Sequence, residues 1–397
     1  MPMGDIGAKW KAFGWNVIPC DGHDVEDFCR AVQEAKKTKG RPSLILAATV
    51  KGKGVSFMEG KNTWHGKAIN DNEYAQGESR IRRCQIMGEN IAIRDAYGAA
   101  LKELGEQNEK IVGLEADVAS STKSGIFGKA FPERYFNVGI SELDMVSMSA
   151  GFAREGLIPY VNTFAVFLTT RGADPIQSLI AYDKLNVKLC GTYCGLSDSY
   201  DGASHQAITD LAFVRSIPNL TVVTVADAAE TRKAVFALAG HRGPVYLRLS
   251  RAEAPVFYQP DMEFEIGKGI TVREGGDVTI ITTGTVLHKA IQAADLLGAE
   301  GIRATVVDMH TIKPIDRNLV IECAGRTGAI VTVEEHSIYG GLGSAVAEVL
   351  AEHMPVPMER IGAVDFAESG DYEALLAKYG YSPEAIADKC RAVMKRR

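Results

Sequence analysis

The sequence predicts an α/β protein with parallel-rich sheets flanked by helices, and three observations predict it. Strand-like apolar runs alternate with stretches of helical period along most of the chain, the order that a helix-covered parallel sheet requires. Runs such as SLILAATV at 43–50 are continuously apolar, as strands buried on both faces are. The 397 residues are 46% hydrophobic and 24% charged, with 40 Gly and 14 Pro, a composition that supports more than one packed core.

In the first block, residues 16–20 are predicted as a short strand, 25–37 as a helix and 43–50 as a buried strand. After Gly54 the pattern lapses: residues 59–89 are polar, with scattered Gly and Asn, and read as a connecting segment. In the second block Ile93, Tyr97, Ala100, Leu101 and Leu104 recur at helical spacing, so 91–104 is expected to bury one helical face. Strands are expected at 111–114, 187–190, 221–225 and 245–248. Proline and acidic residues across 255–265 mark a further boundary. The last block is the most regular: strands at 278–282, 304–307 and 329–333 alternate with helices at 286–297 and 342–352. Ala290, Ala293, Ala294 and Leu297 form the apolar stripe of the first of these helices. The opening block, roughly 55 residues, buries too little surface to stand as its own α/β domain. It reads as the tail end of something larger.

A net charge of −6 argues against nucleic acid or an anionic membrane surface as the main partner, so any anionic ligand needs local cations. No apolar run reaches membrane-spanning length and the start shows no signal-peptide pattern. The seven cysteines are scattered and odd in number. Cys190 and Cys194 lack a second Cys/His pair for zinc, which fits reduced thiols and a cytoplasmic location.

The stretch NVGISELDMVSMSAGFA, 137–153, carries two acids, Glu142 and Asp144, into a segment that otherwise reads as core. A structural explanation exists: Ser141 caps a helix whose first turn holds both acids near the positive end of its dipole. Other motifs supply a second explanation. DGHD (21–24), TVKGKGVSFMEG (49–60), WHG (64–66), GISELDM (139–145), TFAVF (163–167), DGASHQ (201–206) and VEEHSIYGGLGSAV (333–346) together resemble the transketolases, thiamine diphosphate enzymes, over almost the whole chain. The resemblance implies a C-terminal remnant of the diphosphate-binding domain at 1–75, a linker at 76–89, a pyrimidine-binding domain at 90–258 and a transketolase C-terminal domain at 262–397.

In that family a glutamate contacts the ring nitrogen of the aminopyrimidine and so helps the cofactor lose a proton. Glu142 occupies this position. Burial raises the pKa of such a carboxyl and a helix N-terminus lowers it. Phe164 and Phe167, three apart, share a face if helical, and the resemblance has them bracket the pyrimidine. Asp117, in the loop EADVASS, matches an acid near the thiazolium ring, although a loop acid at a strand end is as often a turn former. His65 and His205 match two histidines that steer protons on substrate hydroxyls. Asp201 matches an acid that reads a hydroxyl. His23 is left as part of a turn, and His241, His288, His310, His336 and His353 as ordinary histidines.

Arg94, Ser121 and Arg251 match positions that hold a substrate phosphate, which two guanidinium groups grip by paired hydrogen bonds. Here the sequence departs from the family. A histidine position is Tyr193, and the approach to Asp201 reads SDSY at 197–200. The departure admits a different terminal group, a sulfonate or a shorter sugar. GGLG at 340–343 precedes a helix but is expected to serve strand–helix packing rather than a phosphate.

The family holds the cofactor's diphosphate through Mg2+ or Ca2+ with a GDG sequence and a following asparagine. This chain contains no GDG, and Asp5 after Gly4 is a lone acid, so the diphosphate and metal anchor is expected elsewhere and this chain is expected to be weak or inactive by itself. The resemblance implies ketol transfer between a ketose phosphate and an aldose. It also implies a homodimer with sites between subunits, and the missing anchor makes a separate N-terminal transketolase chain or segment the first of the readings. A truncated transketolase-like protein, a deoxyxylulose-phosphate synthase and a 2-oxoacid dehydrogenase β subunit are the alternatives. The last should lack the motifs at 21–66.

Overall fold

The computed structural model describes residues 4–53, 58–60 and 90–397. Contacts divide the chain into two units, Met1–Ile86 and Met87–Arg397.

In the first unit a helix, Ile6–Ala12, precedes β1 (Asn16–Asp21), a helix Val25–Lys37 and β2 (Ser43–Ala48). The strands pair in parallel from Asn16 opposite Ser43 to Asp21 opposite Ala48, with the helix as the crossover that parallel strands require. Asp5 caps the first helix through the Ala8 amide at 2.8 Å. The DGHD turn is built as expected for structure alone. Asp21 accepts from the His23 amide at 2.8 Å, Asp24 caps the next helix through the Glu26 and Asp27 amides, and His23 Nε2 accepts from the Val50 amide. Among the described residues its buried cluster is Ile18, Cys20 and Ala31. The expected buried strand at 43–50 is a correction: β2 is half-buried from Ser43 to Leu46 and exposed at Ala47 and Ala48, because among the described residues two short helices give a two-stranded sheet only partial cover.

In the second unit β3 (Asn90–Ala92) pairs antiparallel with β10 (Glu253–Pro255). That pairing claims residues expected to be helical, so the helix begins at Ile93 and runs to Gln107. The main sheet holds β4 (Ile111–Glu115), β5 (Tyr135–Asn137), β6 (Ile158–Phe164), β7 (Lys188–Thr192), β8 (Thr221–Thr224), β9 (Val245–Arg248) and β14 (Thr311–Lys313). Their order is β14-β8-β9-β7-β6-β4-β5, parallel except for β14. The wholly buried β6 is absent from the sequence-based expectation because IPYVNTF carries Pro159, Asn162 and Thr163. Asn162 is satisfied internally, its Nδ2 donating to the Leu114 and Tyr160 carbonyls at 3.0 and 2.8 Å, so burial does not leave it unpaired.

The second sheet runs β11-β13-β12-β15-β16, from β11 (Ile270–Arg273), β12 (Val278–Thr282), β13 (Ala304–Asp308), β15 (Ile330–Ser337) and β16 (Met358–Ala363). The helix Leu287–Ala299 buries the predicted stripe of Ala290, Ala293, Ala294 and Leu297. The GGLG turn is no phosphate loop, for a physical reason. Glu334 fills that helix N-terminus by accepting from the Leu342 and Gly343 amides at 2.6 and 2.7 Å. Among the described residues no helix is long and apolar enough to cross a membrane, and Cys20, Cys29, Cys190, Cys194, Cys323 and Cys390 are all free thiols.

The two sheets are joined at several points within this unit. β14, from the later block, hydrogen-bonds to β8. Buried Arg248, at the end of β9, donates to Asp210 Oδ2 at 2.7 Å and to the carbonyls of Ala207 and Glu335 at 3.0 Å each. Replacing Arg248 by Leu strands the Asp210 carboxylate, so urea unfolding of R248L should show a loss of about 3–5 kcal/mol. A loss below about 1 kcal/mol would show that Asp210 simply takes up a proton.

Candidate active site

Residues that follow the carboxyl ends of β4, β5, β6, β7 and β9 converge on one edge of the main sheet, where parallel α/β sheets build their sites. Glu142 is the first residue of the helix Glu142–Arg154. Ser141 occupies the N-cap but makes no side-chain cap bond, so the capping explanation is incomplete. Asp144 points to solvent while Glu142 is only 4% exposed. Glu142 Oε1 accepts from Arg171 Nη1 at 2.8 Å. Arg171 ends the helix Ala165–Arg171, and its guanidinium carbon lies 4.0 Å from the Phe167 ring centroid.

Phe164 and Phe167 do not share a helix face as their spacing suggests. Phe164 ends β6 and stands at the N-cap of the helix that carries Phe167. Their rings nevertheless stack, with centroids 5.8 Å apart and an interplanar angle of 27°. Tyr193 stacks on Phe164 at 4.2 Å, and His205 meets Phe167 edge-on at 5.1 Å. His205 Nδ1 lies 2.9 Å from Ser204 Oγ.

Tyr193 adopts a left-handed φ of 60° and is buried between two cations. The Arg94 and Arg251 guanidinium carbons lie 5.5 and 5.2 Å from its ring centroid. Arg94 Nη1 donates to the Tyr193 hydroxyl and, at 3.3 Å, to the Ser121 carbonyl. The four residues expected at a substrate anion are therefore together. Asp201 is exposed at the tip of the same loop. Asp117, also exposed, is held by Asn137, whose Nδ2 donates to Asp117 Oδ1 at 2.9 Å. His65 lies outside the described residues.

Four site-shaping residues escaped the sequence reading. Arg171 carried no motif. Asp198 sits in the departing SDSY segment, which was the available signal. Its buried Oδ1 accepts from Arg251 Nη1 at 2.9 Å, and burial with the neighbouring Asp201 pushes its pKa up to about 6 against the pull of Arg251. Glu115, an acid closing an apolar strand, is fully buried. It gathers the loop of Asp117 and Ser121 by accepting from the Ala116 and Val118 amides and the Thr122 and Ser124 hydroxyls. Burial pushes its pKa up to about 7 in spite of those bonds. Glu335, from β15, accepts from the Leu196 amide and, at 2.7 Å, from the Tyr372 hydroxyl, and burial likewise pushes it up to about 7.

A buried carboxyl joined through Arg171 to two stacked aromatic rings, with a partly exposed imidazole against the second ring, makes a setting suited to a flat heterocycle with a ring nitrogen. Among the described residues no group of three or more His, Cys, Asp and Glu side chains is placed to hold a metal ion.

Three family profiles match the chain: transketolase, thiamine diphosphate binding domain, at residues 2–111; transketolase, pyrimidine binding domain, at 89–256; and transketolase, C-terminal domain, at 267–386. Transketolase from Rattus norvegicus is 36% identical over 421 residues, covering 97% of this chain and 67% of its own length. A putative transketolase C-terminal section from Methanocaldococcus jannaschii is 41% identical over 316 residues, covering 79% of this chain and 99% of its own. Among solved structures, one described as split gene transketolase, inactive beta4 tetramer, superposes with a TM-score of 0.73 at 49% identity, covering 77% of this chain and 100% of that one. Transketolase from Campylobacter jejuni, at 20% identity and a TM-score of 0.65, covers 99% of this chain and 70% of its own and shows the shared fold.

The environment of Glu115 has a measurable consequence. Its pKa rises from 4.5 to about 7 on folding, so the native state binds more protons than the unfolded one and loses stability as pH rises through that window. Urea unfolding at pH 5 and pH 8 should show Glu115→Gln gaining about 1–3 kcal/mol on the wild type across the interval. Parallel pH profiles would mean that Glu115 does not titrate there.

Proposed function

The chain belongs to the transketolase family, and from that premise we propose that it transfers a two-carbon ketol unit from a ketose to an aldose together with a complementary N-terminal transketolase chain or segment. One observation carries the reading. An unbroken run of contacts leads from Glu142 through Arg171, Phe167, Phe164 and Tyr193 to Arg94 and Arg251, so groups suited to a heterocycle adjoin groups suited to a substrate anion.

When bound, thiamine diphosphate would supply the nucleophilic carbon that ketol transfer requires. In this reading Glu142 shares a proton with the pyrimidine ring nitrogen, and Phe164 and Phe167 orient the ring. Asp117 faces the thiazolium side. His205, with Ser204 beside Nδ1, keeps Nε2 for a substrate hydroxyl, and Asp201 takes another. His65 is assigned to the same proton steering by resemblance alone. Arg94, Ser121, Arg251 and Tyr193 hold the distal end of the sugar. A divalent cation, Mg2+ or Ca2+, would be held with the diphosphate by groups of the complementary portion, and the working unit is a cytoplasmic homodimer of the completed site.

The need for a complement draws support from two facts. The 49% identical relative, covered over its full length, is described as a split gene transketolase and as inactive in its beta4 form. In this chain β2 is half-exposed and Phe28 is 43% exposed, an apolar surface that another portion of the same domain would cover. The relative's description also favours a second reading, a chain that is inactive when alone.

Calorimetric titration of thiamine diphosphate with magnesium should give no saturable heat with the chain by itself and clear binding once a candidate N-terminal chain is added. Tight binding by the chain alone would contradict the anchoring argument. In the reconstituted enzyme Glu142→Gln should lower ketol transfer by about 10²–10⁴-fold with its unfolding midpoint unchanged, and undiminished turnover would remove Glu142 from this role.

A further inference from the structure

Both guanidinium groups of the anion pocket already have partners within the chain. Arg94 Nη1 donates to the Tyr193 hydroxyl, and Arg251 Nη1 donates to Asp198 Oδ1 at 2.9 Å. Asp198 is wholly buried, and its Oδ2 has no hydrogen-bond partner among the described residues. The acid is also fixed in place. Its carbonyl accepts from the Gly202 amide at 3.2 Å, and the adjacent Ser199 carbonyl accepts from the Gly370 amide at 2.9 Å. These bonds hold the backbone that carries the carboxylate. Asp201, near enough to raise the pKa of Asp198 by charge repulsion, adds a second acid. Two cations and two acids thus belong to the same loop region, with Arg251 paired directly to Asp198, so the acids offset much of the positive charge.

A phosphate dianion seated between Arg94 and Arg251 would lie beside a buried carboxylate, where charges repel far more strongly than in water. A sulfonate has the same tetrahedral shape with one charge fewer, and a hydroxyl end has none. Resting on the ketol-transfer reading, we infer that Asp198 determines specificity: it lowers the positive charge of the distal pocket and selects sugars whose terminal group bears at most one negative charge. A residue that merely positioned Arg251 would have the opposite effect, since its loss would weaken the grip on every anion.

Methyl phosphate and methanesulfonate isolate the charge, being alike in shape, and their binding to the full chain can be followed by calorimetry at pH 8 without any turnover. The wild type should bind methanesulfonate at least as tightly as methyl phosphate. Asp198→Asn should tighten methyl phosphate by about tenfold or more and move methanesulfonate by less than about threefold. Weaker binding of both ions by the variant, no change, or no saturable binding to either protein overturns the inference. In the reconstituted enzyme the same variant should raise kcat/KM for a ketose phosphate relative to its sulfonate counterpart. Absence of ketol transfer from every donor would instead overturn the reading on which the inference rests, leaving the binding result to judge Asp198 by itself.

Discussion

The whole arrangement at the sheet edge depends on the Arg248 guanidinium. It is wholly buried with Asp210 and reaches the carbonyls of Ala207 and Glu335, so one side chain ties a strand end, the base of the 193–206 loop and the second sheet together. A buried cation with that many partners tolerates little displacement. Glu335 extends the tie by taking the Leu196 amide. Here two glycines are required by space as well as by backbone angle. Gly195, at φ 60°, would put a Cβ 2.5 Å from Glu335 Oε1, and Gly202, at φ 75°, would put one 2.3 Å from Ser369 Oγ. The later α/β layer therefore shapes the pocket by moulding the loop that carries Tyr193, Asp198, Asp201 and His205.

The acids near this edge divide according to what surrounds them. Glu115 and Glu335 are buried and hydrogen-bonded mainly by neutral amides and hydroxyls, and burial raises both to about 7. Asp198 has a guanidinium on one oxygen and another acid nearby, and burial and that acid raise it to about 6. Glu142 is paired directly with Arg171. Desolvation and charge pairing are thus separable here: the structural carboxyls hold loops through protons and amides, and the one at the expected cofactor position meets a cation.

Local pattern made most of this fold legible. The Ala290, Ala293, Ala294 and Leu297 stripe and the apolar strands followed from periodicity because packing repeats on that period. β6 did not, since Asn162 breaks its apolar run and becomes acceptable only through carbonyls contributed by neighbouring chain. At the site, Glu142, Phe164, Phe167 and Arg94 stood out through short motifs. The spacing of Phe164 and Phe167 left their shared face conditional on a helix, because a strand end and a helix cap look alike at three-residue spacing. Arg171, Asp198 and Glu335 were invisible for a different reason. Each acts on a partner 29, 53 and 139 residues away in sequence, and no local window contains such a pair.

The Glu142–Arg171 pair is unequal, and the inequality bears on how the pocket can accept a ring. The Arg171 side chain is 47% exposed, whereas that of Glu142 is 4% exposed. Water can therefore receive the guanidinium at a cost close to that of a surface pair, about 0.2–1 kcal/mol, while the carboxyl has no comparable refuge. Arg171 also covers Phe167, at 4.0 Å from its centroid. A flat heterocycle that takes up the free carboxyl lone pairs and the aromatic face competes with the guanidinium for both contacts. Since the exposed partner yields more readily, the carboxyl stays where it is and the cation moves. Preorganisation then resides in Glu142, Phe164 and the loop locked by Arg248, and the adjustable part is confined to one long, solvated side chain.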